Sequence, residues 1–469
     1  MSTHLRLRRR LTAFNTWSLA FGGVIGWGSF VMPGTVFLKR AGTLGTLIAM
    51  ELAAFIMLII SYSYAYMIHK FPVTGGQFFY ADKAFGSRHG FICAWFLGLC
   101  YISIIPMNAT ALCLIFRALC GDLLKFGFYY KLAGYDIYFG EILLACVALI
   151  LFAYISSLKV YYSGRLQSIF VILLLAGVLV TLAGLITSPN TNKSDLLPMF
   201  YPDDSRNYLT QIISVLVVAP WAFVGFDIVP LLSEESRFSR NYTKSIMDIA
   251  ILCGCFVYIV LNVIAASGFS EKFSGWVEYV NALPNLNGIE GIATFSAAHK
   301  VLGRTGIFFM SLAAFMAMLT GITAFYTATS RLLYSMSREK MLPSWFGKLN
   351  RNNIPLNAVI FCMAVSILAP FAGRNALGWT VDMSSIGGAV SMAYTSLAAI
   401  HFARSEEKKR IDMIIFGGAG FIFSVIFALL LLVPVGFDCS LEMPSYVLLI
   451  MWTILGVIFY KRKNFIADK

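Results

Sequence analysis

The chain has 469 residues, 59% hydrophobic and 13% charged, with a mean hydropathy of +0.77. Soluble domains carry about 25% charged residues, so this deficit, with apolar runs of about 20 residues recurring end to end, excludes an ordinary soluble fold. The formal net charge of +13 raises a nucleic-acid partner, and the placement of the charge excludes it.

Twelve membrane-spanning helices are expected, at roughly 13–38, 43–68, 91–119, 138–158, 165–187, 208–232, 245–268, 305–336, 355–372, 379–402, 411–435 and 444–460. The first, third and eighth runs are longer than a perpendicular span needs, which implies tilt or local unwinding. With the N-terminus cytoplasmic, about 25 of the 36 Lys and Arg fall on the inner side. Both termini are therefore expected in the cytoplasm of a multi-pass cell-membrane protein, with the lipid bilayer as partner. The start LRLRRR lacks a cleavable signal pattern. The nine cysteines read as small hydrophobes in the bundle. The five histidines sit in tails, loops or span ends, away from the pairings a haem or metal needs, so no cofactor and no metal is expected.

Spans one and six share a peculiarity. Each interrupts its apolar run near the middle, as GGVIGWGSF (22–30) and as PWAFVGFDIVP (220–230). Each also opens a block of five spans, and an odd number of spans inverts the second block in the membrane. Two inverted repeats, about 11–200 and 205–403, make a transport core over 1–403, with two further helices and a tail in 404–469. Inversion makes the inner loop 71–86 and the outer loop 269–304 counterparts, each able to form short helices over one mouth of a central site.

Glycine costs a helix interior roughly 1 kcal/mol relative to alanine, and an unwound backbone inside a bilayer must face protein, water or ligand. The new helix N-terminus near Gly28 favours an anion such as a carboxylate. The carbonyls near Gly23 and Val24 favour an ammonium, and Val224 and Gly225 supply a second set. Such ends hold a zwitterion with few charged side chains. Gly22 and Gly26 also have the spacing of close helix packing.

GGVIGWGSFVMPG resembles the first-helix signature of the amino acid–polyamine–organocation superfamily. WAFVGFDIVPLLSEES is similar to its sixth-helix motif with the acidic pair that follows. FPVTGGQF, SRLLYSMSREKMLP and VDMSSIGGAVSMAY are similar to its inner loop after helix two, its helix eight and its helix ten. The resemblance implies the LeuT-type fold with helices one and six broken, and amino acid transport by alternating access. It implies backbone binding of substrate by Val24, Ile25, Gly26, Trp27 and Gly28. It also implies that Trp221 closes over the substrate, that Val224 and Gly225 are unwound, and that Phe325 flanks the side chain. Trp27 departs from the small hydroxyl residue usual between the signature glycines. Leu174 aligns with the lysine that proton-coupled members carry in helix five.

Ionisable groups in spans are functional candidates because burying them is costly. Asp227, Glu51 and Asp382 are candidates for gating or coupling, with Asp227 foremost; Asp248 reads as a helix N-terminal dipole partner. Tyr101 could reach the site with its hydroxyl. Thr320 and Thr323 could help hold sodium, although their hydroxyls can equally bond their own helix. The expected function is secondary active transport of a small-molecule amino acid, with a proton, sodium or counter-substrate as coupling partner. The alternatives are a polyamine or organocation carrier and an amino acid/amine exchanger. A membrane enzyme would need clustered catalytic groups, which the spans lack; a channel would show a polar stripe along several helices and needs neither the half-helix symmetry nor the two gating loops.

Overall fold

The computed structural model describes residues 9–132, 134–158, 160–189, 191–434 and 440–467. The first eight residues, with part of the basic start, and the predicted end of span eleven at 435 lie outside them.

A capping box starts the first helix: the Thr12 hydroxyl accepts from the Asn15 N–H at 3.1 Å, and Asn15 Oδ1 accepts from the Thr12 N–H at 3.4 Å. Helix α1 (Ala13–Val24) stops where Ile25 turns extended (φ −100°, ψ 105°), and the chain resumes as α2 (Gly28–Met32). A π-turn over Pro33–Phe37 leads into α3 (Leu38–Lys70), which is kinked at Gly42. The inner loop forms α4 (Gly76–Phe85), followed by α5 (Ser87–Cys120). A hairpin of β1 (Tyr129–Leu132) and β2 (Tyr135–Tyr138) precedes α6 (Phe139–Ser157) and α7 (Val160–Thr187).

The sixth predicted span is also discontinuous. It consists of α8 (Tyr208–Leu216), α9 (Ala219–Phe223) and a 3₁₀ stretch over Phe226–Leu232. Then come α10 (Tyr242–Ala266), α11 (Trp276–Ala282), α12 (Ala293–Arg338), α13 (Leu356–Ser366), α14 (Asn375–Arg404), α15 (Ile411–Leu432) and α16 (Met443–Ala467).

Among the described residues, nine helices are long and apolar enough to cross a membrane. Three of the twelve expected spans, the first, sixth and ninth, occur as shorter pieces: two are broken, and the ninth is a short apolar helix over Leu356–Ala372. Expected boundaries shift where helices merge across glycine kinks. The eighth begins at 293 rather than 305, with Gly303 (φ 58°) bending it, and helix runs unbroken by assignment from Gly28 to Lys70. Both loops expected to hold short helices do so, in α4 and in α11.

The two broken helices lie in one contiguous core, whereas Phe55, Ile172, Phe308, Ile415 and Ile450 are exposed on the outer helices. Large apolar side chains facing outward on long helices are what contact with lipid tails requires. The face bearing the N-terminal segment is sealed by polar contacts. The Arg10 and Leu11 N–H groups donate to Glu235 O (2.8 and 3.0 Å), and Arg237 N–H donates to Leu11 O (2.9 Å). The guanidinium of Arg331 pairs with Glu235 at 2.9 Å, both side chains 1% exposed. Glu234 accepts from Thr74 N–H (3.1 Å) and from Arg338 (3.3 Å).

Candidate functional site: two broken helices crossing in the core

The breaks of α1–α2 and of the α8–α9 segment interlock through backbone. Gly225 has φ 137°, and a Cβ there would stand 2.4 Å from Val24 N and 2.6 Å from Gly23 C. A side chain on Gly225 would thus be strained by its dihedral and would collide with a main chain. Gly28 serves a different contact: its Cβ would stand 2.1 Å from Cη2 of Trp221, so the indole lies on the bare start of α2.

Around this crossing the structure gathers Val24, Ile25, Gly26, Trp27, Gly28, Trp221, Val224, Gly225, Asp227, Tyr101 and Phe325, all buried except Gly26, which is partly exposed. Trp27 meets Trp221 edge-on with centroids 6.5 Å apart, and its indole N–H has no partner among the described residues. Tyr101 and Phe325 form a second aromatic pair at 5.4 Å. Phe325 also borders the first break, its Cε2 3.6 Å from where a Gly23 Cβ would lie.

The backbone groups freed by the first break divide into satisfied and free. Gly26 O accepts from the Ser29 N–H and hydroxyl at 3.3 and 2.7 Å, and Val24 O from the Tyr258 hydroxyl at 3.3 Å. The Trp27 N–H donates to Asn108 Oδ1 at 3.2 Å. Among the described residues no acceptor meets the N–H of Gly26 or Gly28. A donor left without an acceptor at the depth of the bilayer core costs several kcal/mol unless water or ligand supplies the acceptor.

Asp227 holds the second break together. Its Oδ1 accepts from the Gly225 N–H at 2.9 Å, and its Oδ2 from the Tyr101 hydroxyl at 2.7 Å and Gln77 Nε2 at 3.2 Å. Its carbonyl accepts from Gln77 Nε2 at 2.9 Å as well. One carboxylate thus ties the unwound backbone to α5 and to α4, and its oxygens are taken up by protein donors.

Other candidates lie apart. Glu51 is exposed on the outer side of α3, and Asp382 accepts a 3.4 Å bond from Glu442 N–H beside the start of α16. Asp248 sits in the second turn of α10, where it pairs with Lys244 and takes a 2.6 Å bond from Ser61 Oγ; this replaces the dipole role expected for it. The Thr320 and Thr323 hydroxyls bond Ala317 O (2.7 Å) and Leu319 O (2.8 Å) of their own helix. From α7, Gln167 bonds both α1 and α12. Its Nε2 donates to Ser18 O at 3.3 Å and Thr320 O at 3.2 Å.

Sequence reasoning missed Asn108, Gln77 and Tyr258. Asn108 had a usable signal, as a carboxamide within an apolar span; Gln77 stood inside the quoted FPVTGGQF loop. Tyr258 had none, because one tyrosine among 22 does not announce which backbone carbonyl it meets.

Interrupted helices crossing inside a bundle of long apolar helices define a multi-pass membrane protein of the carrier type. The chain matches the amino acid permease family over residues 11–459 and belongs to it. It is 22% identical to the amino-acid permease RocC of Bacillus subtilis (strain 168), over 84% of this chain and 80% of the relative. It is 24% identical to the branched-chain amino acid permease BcaP of Lactococcus lactis subsp. cremoris (strain MG1363), over 85% and 83%. It is also 26% identical to a methylthioribose transporter of Bacillus subtilis (strain 168), over 84% and 81%. These relatives are permeases and transporters, not enzymes, and the family match with the two amino acid permeases supports amino acid transport by this chain.

Proposed function

We propose that the protein is a secondary active amino acid transporter of the cell membrane that works by alternating access. In this reading twelve spans form two inverted repeats of five plus two appended helices, with both termini cytoplasmic. The substrate zwitterion lies between the two breaks. Its carboxylate is received by the N–H groups of Gly26, Trp27 and Gly28, and its ammonium by carbonyls at Gly23, Val24 and Val224. Trp27, Trp221 and Phe325 bound the side chain, while Asp227 keeps the second break in shape.

The observation that carries the reading is the pair of N–H groups at Gly26 and Gly28 that meet no acceptor among the described residues, at a helix start where an anion is favoured. Asn108 presents its amide oxygen to the N–H between them and so stands where one carboxylate oxygen would sit. Substrate binding therefore exchanges a neutral acceptor for a charged one, and charge-assisted bonds are roughly twice as strong.

A polyamine or organocation carrier would need free carboxylates at the crossing, and the acid there, Asp227, is engaged by three donors. Exchange of an amino acid for an amine differs from symport only in what accompanies the substrate. The test is uptake of radiolabelled amino acids and polyamines into proteoliposomes under imposed proton, sodium or internal-substrate gradients. Accumulation of at least one zwitterion is expected; polyamine uptake alone would reject the reading.

A further inference from the structure

A second feature lies on the outer surface, away from the crossing helices. There α5 and α16 run antiparallel, joined by a tryptophan pair. Trp95 and Trp452 stack with centroids 4.6 Å apart. Each donates its indole N–H to the backbone carbonyl of the other, at 2.9 Å from Trp95 and 3.1 Å from Trp452. Gly456 admits the Trp95 ring, since a Cβ there would stand 2.6 Å from its Nε1. Phe91 meets Tyr460 one turn further along, at 5.3 Å.

Beside this fixed pair runs a groove of about 560 Å³, walled by Phe91, Trp95 and Val457, with Arg88 and Lys461 also lining it. The antiparallel register that pairs Phe91 with Tyr460 brings Arg88, three residues before one, to Lys461, one residue after the other. Both cations are exposed, and neither forms an ion pair among the described residues. They mark the end of the groove on the face that carries α4 and the N-terminal segment.

We propose that this groove is a binding site for an anionic phospholipid, with the phosphate at Arg88 and Lys461 and an acyl chain along Phe91, Trp95 and Val457. In a bilayer an apolar groove does not select among lipids, because every lipid offers the same tails. Selection comes from the head group, and two adjacent cations at the membrane surface favour an anionic one by about thirtyfold. On the orientation proposed above, the cations face the cytoplasmic leaflet, where anionic lipids reside. A helix from a second copy of the chain could fill the apolar part, but it would leave both cations without counter-charge.

The test is native mass spectrometry of the delipidated full chain in detergent, titrated with phosphatidylglycerol or with phosphatidylcholine of matched acyl chains. The wild type is expected to bind the anionic lipid about thirtyfold more tightly, and inorganic phosphate at the same concentration is expected not to displace it. In Arg88→Gln/Lys461→Gln the preference disappears while the melting temperature is kept. Val457→Trp, which fills the groove and leaves the cations in place, weakens retention of both lipids. Equal affinity for the two lipids, a preference that survives in the double variant, displacement by phosphate, or a dimer that forms at the groove and excludes lipid would each overturn the proposal.

Discussion

The amide oxygen of Asn108, projected from α5, stands 3.2 Å from the Trp27 backbone nitrogen in the gap between α1 and α2. Its own Nδ2 is tied back to Ile104 O at 3.1 Å, so the carboxamide is held in one orientation. The break is therefore already arranged around an acceptor before any substrate arrives.

Replacing that acceptor separates two outcomes. Asn108→Ala removes a competing hydrogen bond worth about 1 kcal/mol, so the apparent KM for uptake is expected to fall several-fold. Asn108→Asp sets a negative charge against the incoming carboxylate, a repulsion of several kcal/mol, and uptake is expected to be lost. Initial rates in proteoliposomes at matched protein orientation read both.

The two key glycines should fail differently. Gly225→Ala combines a left-handed dihedral with a 2.4 Å approach to Val24 N; the strain of about 1–3 kcal/mol, added to the collision, should lower both melting temperature and uptake. Gly28→Ala meets side chains rather than main chain, the Trp221 ring at 2.1 Å and Met32 Sδ at 3.2 Å. Melting temperature should change little while uptake falls at least tenfold. Scanning fluorimetry in detergent beside the transport assay distinguishes them.

Trp27→Ser removes a buried indole that meets Trp221 at 6.5 Å. The loss of packing is expected to cost about 3–5 kcal/mol and to lower the melting temperature. The vacated space should extend the substrate range toward bulkier side chains. Competition of labelled uptake by a series of unlabelled amino acids measures that range.

Glu235 and Arg331 form a pair that is 1% exposed on both sides and is fastened to the N-terminal segment through Glu235 O. Glu235→Gln strands a buried guanidinium, a loss of about 3–5 kcal/mol. The double change Glu235→Met/Arg331→Met removes both charges and should recover most of the melting temperature. Its uptake should stay low, because the seal between the N-terminal segment and α12 has gone.

Much of this arrangement was legible in the sequence. The four glycines of GGVIGWGSF and the Gly225-Phe226-Asp227 step pointed to both breaks, because glycine in an apolar run is a cost that packing or function must offset. Trp221 and Phe325 were placed at the site through family resemblance and Tyr101 through the reach of its hydroxyl, and the structure brings all three together with the breaks. Glu51 and Asp382 were drawn in by a rule about charge in membranes that does not say which way a helix face points. Glu51 faces outward, and no periodicity in so uniformly apolar a helix could show it. Asn108, Gln77 and Gln167 escaped because neutral amides do not register as charges. Each nevertheless meets backbone exposed by a break or by close helix contact.

The central claim is that the start of α2 receives a carboxylate. The most direct measurement compares proteoliposome uptake of the best-transported amino acid with uptake of the amine that lacks only its carboxylate, under the same gradient. The expected result is uptake of the amino acid at least a hundredfold above the amine, about 2.7 kcal/mol, the size of a lost charge-assisted contact to buried donors. Equal uptake of the two would contradict the account.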